Sequence, residues 1–480
     1  MVNQKKAKQK RVKPQVLKGF RDYPPGEQIA RAKMIRKLCE TVELMGFLPL
    51  QTASLEFAET LLGPHYNEDS LSELFGFTGP DNVDMALRYE FTVSLARYVA
   101  GNSTLALPFR RYQYGNAWRV DKPGPGRFRE FMQFDIDIVG TQNLLADAEI
   151  IAAMVTMLDH IGIKRFKVRF SDRKILNGLI EYVGISLDQG PDVMRVIDKL
   201  EKQGREAVIK ELGPGRTDKS GDKIKGLGLK TAHIEQIERF LDIASLAKDQ
   251  QLVKAEELLG DVEVSRTGIN ELREIQDYLS AMNISDSSTA IDLTIVRGLG
   301  YYTGPVWETT LLDLPEYGSI FSGGRYDNLV GRFQGQQVPG VGSSVGPDRL
   351  LAALLALQIL EVTTATSVVL VTVMDRDRLP QYLQIVRELR EAGVPSEIYS
   401  GDTKNLTKQI KYGDKVGIPF AVIAGSDEFD AGAVTVKNLA AGRQKARETT
   451  KREEWLKAED IQETIPRDTL VEYLRARTIP

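Results

Sequence analysis

The stretch Phe109–Gly140, FRRYQYGNAWRVDKPGPGRFREFMQFDIDIVG, decides how this chain is read. From Phe128 onward it alternates with period two, which predicts a strand. Met132, Phe134, Ile136 and Ile138 would face a core, with Phe131, Gln133, Asp135 and Asp137 on the other face. The run before it, Phe109 to Asp121, carries Arg110, Arg111 and Arg119. Between them lies Lys122-Pro-Gly-Pro-Gly-Arg127, dense in turn formers with a cation at each end. The expected geometry is an antiparallel pair closed by a basic loop. A solvated sheet face would account for a glutamine and two carboxylates opposite arginines. A nucleotide site accounts for them as well, because guanidinium forks match phosphate oxygens and an aromatic ring stacks on a base. The density of charge-assisted partners around one aromatic favours the second reading.

The run YQxGxxWRxDKPGPGRFREFxQFDxDxxG resembles motif 2 of class II aminoacyl-tRNA synthetases, in the form found in histidine-tRNA ligases. Upstream, a helix over IARAKMIRKLCETVELMGF and a strand from Phe47 to about Ser54 resemble motif 1, which builds the dimer interface in class II enzymes; Ala53 stands where the family usually has proline. Ala86–Ala100, ALRYEFTVSLARYVA, resembles the amino-acid-binding turn and helix, with Glu90 and Thr92 at the positions that hold the substrate ammonium. Read locally, the same two residues serve equally as caps for backbone amides. Downstream, RGLGYYTG, with Arg297, Tyr301 and Tyr302, and SGGRYDNLV, Ser322 to Val330, resemble the two histidine-specific signatures. Gly300 replaces the aspartate frequent in the first. VPGVGSSVGPDRLLAAL, Val338 to Leu354, resembles motif 3 and carries Arg349.

Composition limits the alternatives. A chain of 480 residues exceeds one core, so two to four domains are expected. With 42% hydrophobic and 27% charged residues and no apolar run of about 18 residues, the chain reads as globular with no membrane span. The opening MVNQKKAKQKRVKP is basic without the apolar segment of a secretory signal, so the cytosol is the expected location. Cys39 is the only cysteine, and His65, His160 and His233 lack metal-ligand spacing. Chemistry therefore has to run on arginine, carboxylate, amide and tyrosine.

The expected organisation is α+β: a class II antiparallel-sheet catalytic core with a helical insertion and a C-terminal α/β anticodon-binding domain. A basic tail covers residues 1–14. The catalytic core runs over 15–171 and resumes over 287–360, with the helical insertion over 172–286 between its two segments, and the anticodon-binding domain with its extension covers 367–480. Lys404, Lys408 and Lys411 are candidate phosphate contacts in this last domain; a solvated helix face explains them equally.

The resemblance implies ATP-dependent ligation of L-histidine to tRNA(His) through a histidyl-adenylate, by a homodimer, with Mg2+ accompanying ATP and no metal fixed by the protein alone. Arg119 would bridge the substrate carboxylate and the α-phosphate, and Arg297 would reach that phosphate from the far side. Arg127 and Arg349 would hold the outer phosphates. Phe131 would stack on adenine, with Asp121 near its amino group or the magnesium. Glu90 and Thr92 would take the ammonium, while Gln133, Asp137, Tyr301 and Tyr302 would line the histidine pocket. The alternative is a non-catalytic, synthetase-like paralogue that senses histidine or regulates a biosynthetic enzyme.

Overall fold

The computed structural model describes residues 12–63, 72–124, 127–186, 188–217, 221–246, 248–295, 301–402, 405–448 and 461–478. Most of the basic tail, His65, Arg297, Gly300 and Lys404 lie outside these residues. The chain divides into two compact units, one of Met1–Asp22 with Met34–Ile359 and one of Tyr23–Lys33 with Leu360–Pro480.

The first unit is built on an eight-stranded sheet. Its strands are β1 (Leu48–Pro49), β2 (Phe109–Trp118), β3 (Glu130–Val139), β4 (Phe166–Asp172), β5 (Thr289–Ile291), β6 (Pro305–Leu311), β7 (Ser319–Tyr326) and β8 (Gly340–Val345). They lie in the order β1-β2-β3-β8-β7-β6-β4-β5. All interior pairs are antiparallel, and only the short outer strands β1 and β5 pair in parallel.

The two strands read from the central stretch pair along their whole length, Phe109 opposite Val139 through to Trp118 opposite Glu130. Their apolar face behaves as the alternation predicts. Phe134, Ile136 and Ile138 are buried, and the Phe134 ring stacks on Tyr112 at 5.8 Å and on Tyr114 at 6.1 Å, the cross-strand pairs that hold such a sheet in register. Met132 departs from the prediction: it is half-buried and lines the cavity described below, its backbone N–H donating to Asp348 Oδ2 at 3.1 Å. Within the connection, Gly124 and Arg127 exchange both backbone hydrogen bonds, 3.2 and 2.9 Å, which ties the two sides of the basic loop together.

The strand expected from Phe47 to Ser54 is interrupted. Only Leu48–Pro49 pairs with β2, with the Leu50 N–H donating to the Tyr112 carbonyl at 2.9 Å. Leu55–Phe57 instead joins a separate three-stranded sheet with Gly76–Thr78 and Asp84–Leu87.

Helix α1 (Thr92–Ala100) begins beside the end of this small sheet, and α2 (Leu145–Ile161) follows β3. From Arg173 to Ala281 the chain is mostly helical, with one hairpin of Gly215–Thr217 and Lys223–Lys225. Its last helix, Glu263–Ala281, packs on Arg173–Val183, on α2 and on β4, so the helical stretch is joined to the core at both ends.

In the second unit, strands Val369–Val371, Ser396–Ile398 and Phe420–Ile423 pair in parallel, and Ala433–Asn438 and Gln462–Pro466 add antiparallel to them. Alternation with helices Leu379–Glu391 and Leu406–Val416 gives the expected mixed α/β sheet over an apolar core that includes Val369, Val371, Ile385, Leu389 and Val422. The fifth strand, Gln462–Pro466, was not legible in the charged closing stretch. Among the described residues no helix is long and apolar enough to cross a membrane.

Candidate active site

The polar face of β3 forms the floor of a cavity of about 700 Å³. Every residue assigned to the site from sequence, Arg297 excepted, lines it: Glu90 and Thr92 from the start of α1, Arg119, Asp121 and Arg127 from the β2–β3 connection, Phe131, Gln133 and Asp137 from β3. Tyr301 and Tyr302 come from the segment before β6, and Arg349 from the helix Pro347–Ala356. Arg297 lies outside the described residues.

At the outer end are the cations. Arg119 Nε donates to the carbonyl of Tyr89 at 3.1 Å, and its guanidinium lies 5.0 Å from the centre of the Phe131 ring. That arrangement aims a fixed positive charge without neutralising it. Asp121, Arg127 and Arg349 are at the rim, Arg349 Nη1 donating to the Ser319 carbonyl.

Deeper in, the acids are buried. Glu90 is 2% exposed and accepts from the backbone N–H groups of Thr92 at 2.6 Å and Val93 at 2.7 Å, so it caps α1 as the local reading has it while also lining the cavity. Burial raises its pKa, opposed by those two bonds and by Arg111. Asp137 Oδ1 accepts from the Tyr326 hydroxyl at 2.6 Å, and Arg111 Nη2 lies 2.7 Å from Asp137 Oδ2. Burial raises Asp137 too, with Arg111 and Tyr326 pulling the other way. The fit is close: a methyl group on Gly342, opposite Asp137 in the register, would sit 2.0 Å from Asp137 Oδ1. The glycine of the motif 3 stretch is there so that the carboxylate can lie across it.

Several residues of the site were not singled out from sequence. Arg111 was one of three arginines on one run; the structure separates them by alternation, sending Arg110 to Glu149 on α2 and Arg111, fully buried, to Asp137. Asp135 lines the floor two residues from Asp137, and Tyr326 of the second signature reaches under it. Arg173, at the junction of β4 with the helix Arg173–Val183, also lines the cavity. Burial lowers its pKa and no charged group among the described residues offsets the effect. Only the letters SDRK at a strand end marked it, and a boundary explains those letters as well.

Burial pushes the Asp135 carboxyl up to about 7; repulsion from Asp137 and Glu90 adds to this, while Arg111 and a bond from Ser344 oppose it. The Asp135 charge in turn helps raise the Tyr302 hydroxyl and opposes the lowering of Arg88 by burial. Because the folded pKa lies above the ordinary carboxylate value, the folded state binds the proton more tightly than the unfolded chain. The resulting stabilisation is present at low pH and is lost as pH rises through about 7. Asp135→Asn is therefore expected to melt above the parent at pH 8, with the gap narrower at pH 5 and closed only below about pH 4. Thermal melts at the two pH values check this, and an equal gap at both contradicts it.

Comparison with known proteins bears on this cavity and on the second unit. The family model for histidyl-tRNA synthetase matches residues 19–350, and that for the anticodon binding domain matches residues 367–477. Curated histidine–tRNA ligases of Roseobacter denitrificans (40% identical over 510 residues, 98% of each chain) and of a Ruegeria species (42% over 490 residues, 98% of this chain and 97% of the relative) are among the relatives. The crystal structure of histidyl-tRNA synthetase from a Nostoc species superposes with a TM-score of 0.80 at 30% identity, covering 97% of this chain and all of that one.

Proposed function

The chain belongs to the histidyl-tRNA synthetase family of class II aminoacyl-tRNA synthetases and joins L-histidine to tRNA(His) using ATP; on that premise we propose how its residues divide the work. The carrying observation is that residues from four separated stretches, each named from sequence alone, line one cavity. The alternative, a non-catalytic paralogue, is not favoured, because relatives matched over nearly the whole chain are histidine–tRNA ligases.

In the first step the histidine carboxylate attacks the α-phosphorus of ATP, forming a carbon–oxygen–phosphorus link as the bond to pyrophosphate breaks. In the second, a terminal ribose hydroxyl of the tRNA attacks the carbonyl of the adenylate and AMP departs. Negative charge gathers on phosphoryl or carbonyl oxygen in both, and a preorganised cation stabilises it without a general base. Arg119 meets that need, held by the Tyr89 carbonyl and the Phe131 ring with its terminal nitrogens free of any ion pair among the described residues. Arg297 joins it on the family resemblance alone. Arg127 and Arg349, at the rim, take the outer phosphates that leave, and Phe131 supports adenine.

The ammonium is placed at Glu90, Thr92 and Gln133. Gln133 Nε2 donates to Ser344 Oγ at 3.0 Å and its Oε1 is buried without a hydrogen bond, an acceptor suited to a cation. Asp137 and Tyr302 face the ring. A magnesium that arrives on the ATP phosphates would find Asp121 the carboxylate at hand. That ion supplies charge neutralisation for the departing pyrophosphate.

A homodimer belongs to the same reading. Phe57 and Phe77 both stand opposite Met85 in the small sheet and are 61% and 47% exposed, and Leu48 on the edge strand β1 is 57% exposed. Apolar area of this kind marks an interface. Phe57→Asp is expected to sediment as a monomer where the parent sediments as a dimer; an unchanged dimer places the interface elsewhere. The function as a whole is tested by charging tRNA(His) transcripts with a panel of amino acids. Histidine alone is expected to be transferred, and charging by a different amino acid or by none overturns the assignment.

A further inference from the structure

Two acidic side chains stand on the floor of the cavity, and their bonding is unequal. Asp137 has a hydroxyl on one oxygen and a guanidinium beside the other. Asp135, 3% exposed, is served by Ser344, which stands opposite it on β8, but its Oδ1 is buried with no hydrogen bond. A buried carboxylate oxygen without a donor is costly, and native interiors rarely leave one unless something else fills the place. A structural role would be met by the Ser344 bond alone and does not call for an acid, let alone an acid two residues from another. Two apart on β3, Asp135 and Asp137 stand on the same face of the strand and line the same cavity.

Building on the assignment of this cavity to histidine, we propose that Asp135 is a further specificity residue: its free Oδ1 accepts an N–H of the substrate imidazole, so that Asp135 and Asp137 together read the ring. A ring held by two carboxylates donates from both nitrogens and is bound as the imidazolium. An aromatic or thiazole side chain of similar size offers no N–H, so it would leave the buried Asp135 Oδ1 without a donor. That is the circumstance in which a polar site discriminates most strongly.

The test is steady-state ATP–pyrophosphate exchange with the full chain, using histidine and, as a probe, thiazolylalanine, whose ring has no N–H. Asp135→Ala is expected to raise KM for histidine by on the order of 100-fold. KM for ATP should stay within about threefold, and the preference for histidine over thiazolylalanine should fall in proportion. Asp135→Asn, isosteric and uncharged, is expected to fall between parent and alanine, and it decides the question if the alanine variant does not fold. A histidine KM near the parent value in the folded variant overturns the inference, as does a parallel rise for histidine and ATP. The parent enzyme is assayed alongside. If it activates histidine and the variants do so unchanged, only the role of Asp135 fails; if the parent does not activate histidine, the assignment of the cavity fails and this inference with it.

Discussion

Replacing Arg119 with alanine is expected to lower histidine-dependent ATP–pyrophosphate exchange by on the order of 10³-fold, the loss that follows removal of one preorganised charge from a developing oxyanion. The side chain is anchored at Nε by the Tyr89 carbonyl, 3.1 Å away, and flanked by Phe131, so its orientation is fixed before substrate arrives. It makes no ion pair among the described residues whose loss would disturb the fold, and the melting temperature should move little. The effect should fall on kcat and on kcat/KM together, as for an interaction made in the transition state. Arg119→Lys keeps the charge but not the planar fork that bridges two oxygens, and it should recover only a small fraction of the rate. Exchange within about tenfold of the parent in the alanine variant would remove Arg119 from the chemistry.

The second large effect concerns Asp137, where stability and binding are joined. Asp137→Ala strips the partner from Arg111, which is fully buried, and the acceptor from the Tyr326 hydroxyl. Breaking one side of a buried pair costs about 3–5 kcal/mol, because the remaining charge stays desolvated. A denaturant titration should show the loss, and the folded fraction should show a higher KM for histidine with KM for ATP little changed. Asp137→Asn keeps an acceptor for Tyr326 and should lose less stability than the alanine variant. If Asp137→Ala is as stable as the parent, the pair with Arg111 does not anchor the floor of the site. The opposite expectations for the two acids, destabilising at Asp137 and stabilising above neutral pH at Asp135, separate their roles.

How much of this was legible in the sequence depends on whether the signal is local. Period-two alternation from Phe128 and the turn formers between Asp121 and Phe128 determined β2, β3 and their connection, because strand pleat and turn sterics act over a few residues. What the glycines of VPGVGSSVG make room for came only from the structure: Asp137 lies across Gly342, and the Tyr326 ring is 2.3 Å from where a methyl on Gly340 would stand. The ligating types followed from the resemblance, and the tertiary structure gathered them from stretches as far apart as Glu90 and Arg349.

What the sequence could not settle is what covers each face. Alternation places Gln133, Asp135 and Asp137 on one side of a strand, but it does not say whether that side meets water or protein. Here β8 lies alongside, and Tyr326 of β7, 189 residues from Asp137, reaches under the floor, so the polar face is as buried as the apolar one. Sequence by itself determined β2 and β3, their pairing and the kinds of side chain offered to a substrate. Only the tertiary structure decided which acid is already bonded and which is left with a free oxygen, and which arginine is sealed beneath them. Desolvation and partner choice are set by residues far along the chain, whereas a side chain's direction is set by its neighbours.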